Sequence, residues 1–435
     1  MSEKTVAIAT LGCKVNQYES EAIAEDLESR GWSVRPVTEV CTAYIINTCT
    51  VTAESDRKSR QTIRRMISKN PGAYILVTGC YAQTSEESVS AISGIDYICG
   101  NTNKLTVADE LEALYLSGEK LASPKICVPS LEDAAFECMN ITKFDRTRAY
   151  VKIQDGCESR CTYCTIPAAR GPVRSKPVDE VMREVEGLVR GGCREIVLTG
   201  IETGSYGRDL DGDIDLAALL EKIDAIDGIG RVRLGSLDPG MIKPDVVNRI
   251  KSLKSVTPHF HLSMQSGSSA VLANMKRKYN SAQAMRAVSL LRDAFPTLQL
   301  TTDIIVGFPG ETQEDFYESC KLVESARFLM VHVFPYSRRR GTPAATMKGQ
   351  LPEDVKHQRV SALSKKAEEI RCDILDSLIG QSVDVLFETV KDGYAHGHTP
   401  EFVEVRVPTN EDLRAEVRTV KLISHDKMTV EGEII

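Results

Sequence analysis

The chain has 435 residues, 42% hydrophobic and 26% charged, with a net charge of −7. Such a length and apolar content suit two or three folded domains and exclude a disordered or low-complexity protein. No secretory leader or 18-residue apolar span is legible, so the thirteen cysteines are expected to be reduced, in a cytoplasmic protein with no membrane partner.

Residues 1–117 alternate strand-like and helix-like segments. Apolar runs at 5–10, 44–47 and 74–78, with a shorter one at 96–99, read as buried parallel strands. Helical stretches at 19–30, 53–68 and 107–115 separate them, which predicts a small doubly wound α/β domain. Cys13, Cys49 and Cys80 each stand just after one of these runs, as Gly12-Cys13-Lys14-Val15-Asn16, Asn47-Thr48-Cys49-Thr50 and Gly79-Cys80-Tyr81. With 35 and 30 residues between them they meet only in the fold, at the carboxyl edge of the sheet, where open α/β sheets bind ligands. Cys99 offers a spare thiol there. Residues 118–145, with Pro124 and Pro129, break the rhythm and read as a linker.

Residues 146–379 resume the alternation, with strands expected at 149–154, 195–199, 231–237, 259–265, 298–306 and 331–335. Six βα units suit a partial barrel, whose catalytic groups sit at the carboxyl ends of its strands. The first of those ends carries Cys157, Cys161 and Cys164 in a CxxxCxxC loop. Zinc sites want four ligands in two pairs, and no partner CxxC lies nearby. Three thiolates suit instead a 4Fe-4S cluster with one open iron, able to chelate S-adenosylmethionine and reduce it to a radical. For holding S-adenosylmethionine the candidates are Tyr163 beside the adenine, Glu202 for the ammonium or ribose, and Ser236, Gln265 and Asp303 as polar groups at strand ends. Each equally suits a cap or a barrel rim. His259, His261 and His332 alternate along strands and read as structural.

A helix over 353–378 closes the barrel edge. Residues 380–435 hold period-two segments at 383–387, 402–407, 417–422 and 428–430, which predict a small all-β, OB-like barrel. From Asp384 to Ile435 there are eleven acids and six Lys and Arg. RNA contact there would be shape- or loop-specific, through Tyr394, His396 and His398. A cationic band (Arg146, Arg148, Lys152, Arg160, Arg170, Arg174 and Lys176) brackets the CxxxCxxC loop. It offers a phosphate track, with further basic runs at 57–65, 276–278 and 338–340.

The CxxxCxxC loop resembles the radical SAM superfamily. With Cys13, Cys49 and Cys80 and the strings at 11–20, 46–52, 78–83 and 334–345, nearly the whole chain resembles the radical SAM methylthiotransferase family. That resemblance implies an N-terminal cluster-binding domain, a central radical SAM domain and a C-terminal TRAM domain. The residues after Cys13 look most like the branch that methylthiolates C2 of N6-threonylcarbamoyladenosine-37 of tRNA. Branches acting on isopentenyladenosine or on a ribosomal-protein aspartate read differently there, and remain the alternatives. The implied cofactors are two 4Fe-4S clusters and S-adenosylmethionine, the latter as radical source and methyl donor. The implied partners are a tRNA anticodon stem-loop and an electron donor. An iron-sulfur RNA-binding regulator without catalysis is the reading from another class.

Overall fold

The structure is a computed structural model describing residues 3–143 and 147–435; Arg146 and the last residues of the expected linker lie outside them. Six parallel strands form the N-terminal sheet: β1 (Thr5–Thr10), β2 (Ser33–Val34), β3 (Ala43–Thr48), β4 (Tyr74–Gly79), β5 (Tyr97–Cys99) and β6 (Lys125–Cys127). Their order is β2-β1-β3-β4-β5-β6. The runs in β3 and β4 are continuously apolar because both faces are covered: Ile45 and Leu76 join one core, Ile46 and Val77 the other. The segment expected as pure linker supplies β6, whose three residues Lys-Ile-Cys are too short to carry a strand period.

The central array comprises β7 (Arg148–Lys152), then a short ribbon of β8 (Gln154–Asp155) with β9 (Arg174–Ser175). It continues with β10 (Glu195–Thr199), β11 (Arg231–Leu234), β12 (His259–Gln265), β13 (Gln299–Val306) and β14 (Met330–Pro335). Pairing gives β7-β10-β11 and β12-β13-β14, joined where the Leu237 and Ser263 N–H groups bond to His261 and Leu237 carbonyls at 2.9 Å. The partial barrel is thus open between β7 and β14. The helix Glu353–Leu378 packs on β14 as expected.

The N-terminal unit touches both sides of that opening. Its helix Lys14–Ser29 lies on β7, and beyond β14 Arg339 bonds to Asp56 and Thr50, both at 2.7 Å. Charges fill the β7 seam. Glu19, fully buried, pairs with Lys104, with Lys152 at 2.8 Å and with Arg170 at 2.5 Å; Asp155 pairs with Lys152 at 2.6 Å and Arg170 at 3.1 Å. Burial alone would raise the Asp155 pKa, but Arg170 and Lys152 outweigh it and hold the group at about 2. Removing one member of such a set strands a buried charge, at about 3–5 kcal/mol.

The C-terminal unit is a closed five-stranded barrel in the order β15-β16-β17-β19-β18. Its strands are β15 (Ser382–Lys391), β16 (Tyr394–His398), β17 (Glu404–Pro408), β18 (Val417–His425) and β19 (Val430–Ile434). Four strands were expected; β16 reads Tyr-Ala-His-Gly-His, without apolar alternation, and is a strand because β15 and β17 pair with it on both sides. This barrel docks at the amino ends of the central strands. Arg148 pairs with Glu388 at 3.0 Å, and Phe402 stacks between His259 (4.7 Å) and His398 (4.6 Å) under the guanidiniums of Arg148 and Arg233. His398 is therefore held at a domain junction, at the end of strand β16 and not in a loop. Burial and nearby Arg233 push His259 well below the usual imidazole range, so it stays neutral and structural.

Candidate active site

The three N-terminal cysteines meet at the carboxyl edge of their sheet. Cys13 is the N-cap of Lys14–Ser29, Cys49 follows β3, and Cys80 follows β4. Gly12, at φ +100°, lets Cys49 in: a Cβ there would lie 2.9 Å from the Cys49 sulfur. Burial pushes the Cys49 thiol up, and Cys80 and Cys13 add to the rise. Arg170 donates from Nε to Cys80 Sγ at 3.3 Å, and Asn16 lies within 3.9 Å of Cys13 Sγ. Cys99, the spare thiol, is not among them; it turns into the core and donates to the Thr102 and Asn103 carbonyls at 3.3 Å.

The central triplet lies on the loop between β8 and β9. Gly156, at φ +75°, admits the Pro172 carbonyl, which a Cβ would meet at 1.7 Å. The loop is pinned by Cys157 N–H to the Gly171 carbonyl (3.0 Å) and Thr162 N–H to the Met275 carbonyl (3.1 Å). Each sulfur takes a donor: Ser159 N–H to Cys157 (3.4 Å), Arg277 Nη1 to Cys161 (3.2 Å), Ile166 N–H to Cys164 (3.4 Å). Burial and neighbouring Glu202 push the Cys157 thiol up to about 12.

Among the described residues no three Cys, His, Asp or Glu side chains gather as ligands of a single metal ion. Each triplet, with N–H groups turned to its sulfurs, fits a larger thiolate-bound cluster.

Of the other expected residues, Glu202 lies at the central triplet. It accepts from Ser159 Oγ at 3.2 Å and from Cys157 Sγ at 3.6 Å. Tyr163 packs against the Met275, Phe308 and Tyr336 cluster. Ser236 is exposed just past β11, and Gln265 ends β12 at φ +64°. Asp303 is not at a strand end: it sits within β13, three residues from its end, with its carboxylate 3.4 Å from His261 Nε2. Arg277 and Asp238, paired at 2.6 Å beside Cys161, are not among the site candidates that the sequence offers, although Asp238 stands at the polar end of the third central strand. Arg277 looked like one more charge in Lys276-Arg277-Lys278, although its neighbours are exposed and it is turned inward.

The cationic band is not a phosphate track. Lys152, Arg170, Arg174 and Lys176 are buried, and Arg148 is largely so; their partners are Glu19, Asp155, Glu184 and Glu388. Only Arg160 of the described members is exposed. Between the N-terminal unit and the end of β14 runs a cleft of about 730 Å³, lined by Cys13, Cys49, Phe334, Tyr336 and Arg338 among others.

Residues 151–323 match the radical SAM superfamily, and residues 5–100 match the uncharacterized protein family UPF0004. A Bacillus subtilis protein named threonylcarbamoyladenosine tRNA methylthiotransferase MtaB is 38% identical over 99% of this chain and 96% of its own length. Its Thermotoga maritima namesake is 40% identical over 92% of this chain and 91% of its own. A tRNA-2-methylthio-N(6)-dimethylallyladenosine synthase of Alkaliphilus oremlandii is 34% identical over 99% and 93%. In fold, the chain is similar to the radical S-adenosylmethionine methyltransferase TsrM of Kitasatospora setae, solved with cobalamin and a 4Fe-4S cluster. The TM-score is 0.61 at 14% identity, covering 79% of this chain and 77% of that one. No described helix is long and apolar enough to cross a membrane. With two cysteine triplets at the carboxyl edges of a parallel sheet and a partial barrel, and with relatives of this identity along its length, the chain belongs to the radical SAM methylthiotransferase family, in its MtaB branch.

Proposed function

We propose that this chain methylthiolates C2 of N6-threonylcarbamoyladenosine at position 37 of tRNA. Cys157, Cys161 and Cys164 would hold one 4Fe-4S cluster, and Cys13, Cys49 and Cys80 the other. The observation that carries this reading is the link between the two sites: Arg170 reaches Cys80 Sγ and Asp155, the latter two residues before Cys157. When bound, the clusters and S-adenosylmethionine supply the hydrogen-abstracting radical and the methylated sulfur.

The chain's own residues supply placement. The seam of Glu19, Lys152, Asp155 and Arg170 fixes the two triplets relative to one another, so a carbon radical need not wait for domain motion. Glu202, anchored by Ser159, presents a carboxylate beside Cys157 for the ammonium of S-adenosylmethionine, and Tyr163 offers a ring on the same loop. Docking of the C-terminal barrel covers the amino ends of the strands and leaves access from the cleft side.

The anticodon stem-loop would be held by cations that no acidic side chain pairs among the described residues: Lys58, Arg64 and Arg65 on helix Ala53–Lys69, and Arg340 beyond β14. A low-potential electron donor completes the system, in the cytoplasm with the tRNA. The deciding experiment is mass spectrometry of nucleosides after incubating reconstituted enzyme, reductant and S-adenosylmethionine with tRNA. The methylthio derivative is expected only when threonylcarbamoyl is present. Equal activity on tRNA lacking that group would refute the substrate assignment.

A further inference from the structure

Phe334 is the next-to-last residue of β14 and is 46% exposed, unusual for an aromatic ring inside a cleft. It shares that cleft with Cys13 and Cys49, two of the cysteines proposed to hold the sulfur-bearing cluster. Tyr336, two residues on, is buried against Phe308, so the wall behind is fixed. Arg338 also lines the cleft. Its Nε donates to the Ala345 carbonyl at 2.7 Å, and no acidic side chain pairs with its guanidinium among the described residues. A flat apolar surface, an uncompensated guanidinium and the cysteines of a sulfur site therefore share one cleft of about 730 Å³, roomy enough for a nucleoside.

We infer that this cleft is the subsite for the target nucleoside: Phe334 stacks the adenine, and Arg338 takes the carboxylate of its threonylcarbamoyl substituent. The inference rests on the substrate reading above and adds the residues that recognise it. Stacking is the chemistry that holds an unpaired base without regard to its edges, leaving C2 free to face Cys13 and Cys49. The carboxylate is what separates this substituent from an isopentenyl group, and a guanidinium with free terminal nitrogens is its natural partner. Glu353 and Glu54, which also line the cleft, are engaged by Lys356 at 2.7 Å and Arg57 at 2.5 Å and leave Arg338 uncompensated.

The test uses reconstituted full-length enzyme and two anticodon stem-loop RNAs, one carrying threonylcarbamoyladenosine-37 and one with plain adenosine. Phe334→Ala is expected to weaken binding of both RNAs by about 5- to 150-fold, with Phe334→Tyr restoring most of it. Arg338→Gln is expected to weaken the modified RNA by about 10- to 150-fold and to leave the plain RNA within twofold. In Phe334→Trp the new indole is expected to be quenched by saturating modified RNA, whereas buried Trp32 alone in the parent shows no such change. Iron content and RNA-free cleavage of S-adenosylmethionine serve as fold controls and should match wild type. Wild-type affinity in Phe334→Ala, or unchanged emission from Phe334→Trp at saturation, would overturn the stacking assignment. Equal losses on both RNAs in Arg338→Gln would make Arg338 a phosphate contact and overturn the carboxylate assignment. A wild-type enzyme that does not discriminate between the RNAs would instead refute the substrate reading itself.

Discussion

Arg170 donates to Cys80 Sγ at 3.3 Å while its terminal nitrogens hold Asn16 (2.6 Å), Glu19 (2.5 Å) and Asp155 (3.1 Å). One side chain from the barrel thus ties a candidate cluster ligand to the strand that leads into the other triplet. Replacing it with Ala leaves two carboxylates buried with fewer partners. The expected loss is about 3–5 kcal/mol in urea denaturation, with new proteolytic cutting near residues 118–147. A variant as stable as wild type would mean that Lys104 and Lys152 suffice for the seam.

Anaerobic reconstitution should give about eight iron per chain, from two four-iron clusters. Replacing Cys13, Cys49 and Cys80 together by Ala should halve it. Cys49→Ala should still cleave S-adenosylmethionine to 5'-deoxyadenosine without making methylthio product, whereas Cys161→Ala should do neither. Full iron content in the N-terminal triple variant would rule out that triplet as a cluster site.

Arg277 offers Nη1 to Cys161 Sγ at 3.2 Å. Donors and positive charge at a cluster sulfur favour the reduced state. In the background lacking the N-terminal triplet, Arg277→Gln should lower the midpoint potential of the remaining cluster. A tenfold shift of this one-electron equilibrium corresponds to about 59 mV. An unmoved potential in an EPR redox titration would restrict Arg277 to its pairing with Asp238.

Exposed and buried arginines should separate cleanly in tRNA binding. Glu at Arg64 and Arg65 is expected to weaken binding and flatten its salt dependence by about one slope unit for each phosphate no longer neutralised, with iron content unchanged. Glu at Arg174, which is buried beside Asp155, should instead yield insoluble or iron-poor protein. Soluble, iron-replete Arg174→Glu protein with weakened tRNA binding would restore the buried band as the RNA track.

Phe402 joins the two barrels through stacking on His259 and His398 and through two guanidiniums at 4.9 and 5.2 Å. Phe402→Ala should cost about 2 kcal/mol. Small-angle scattering should then show a more extended particle, and an unchanged profile would assign the docking to the Arg148–Glu388 pair alone.

Both cysteine triplets were legible from the sequence alone. CxxxCxxC is a local spacing on one loop, and Cys13, Cys49 and Cys80 declare themselves by following apolar runs that only a two-faced parallel sheet can bury. Periodicity likewise placed the six central strands and the helix Glu353–Leu378, because burial imposes a repeat that short windows contain. Tertiary structure alone decided what the charges do. Arg170 and Lys152 look like a surface band in sequence, yet their carboxylate is Glu19, more than 130 residues earlier, and no local pattern encodes a partner at that distance. The same holds for β16, which lacks apolar alternation, and for Phe334, a strand residue like any other until the fold leaves its ring exposed beside Cys13 and Cys49. Strand ends follow from local hydrophobic burial; the pairing of buried charges and the shape of a cleft follow from contacts between segments far apart in the chain.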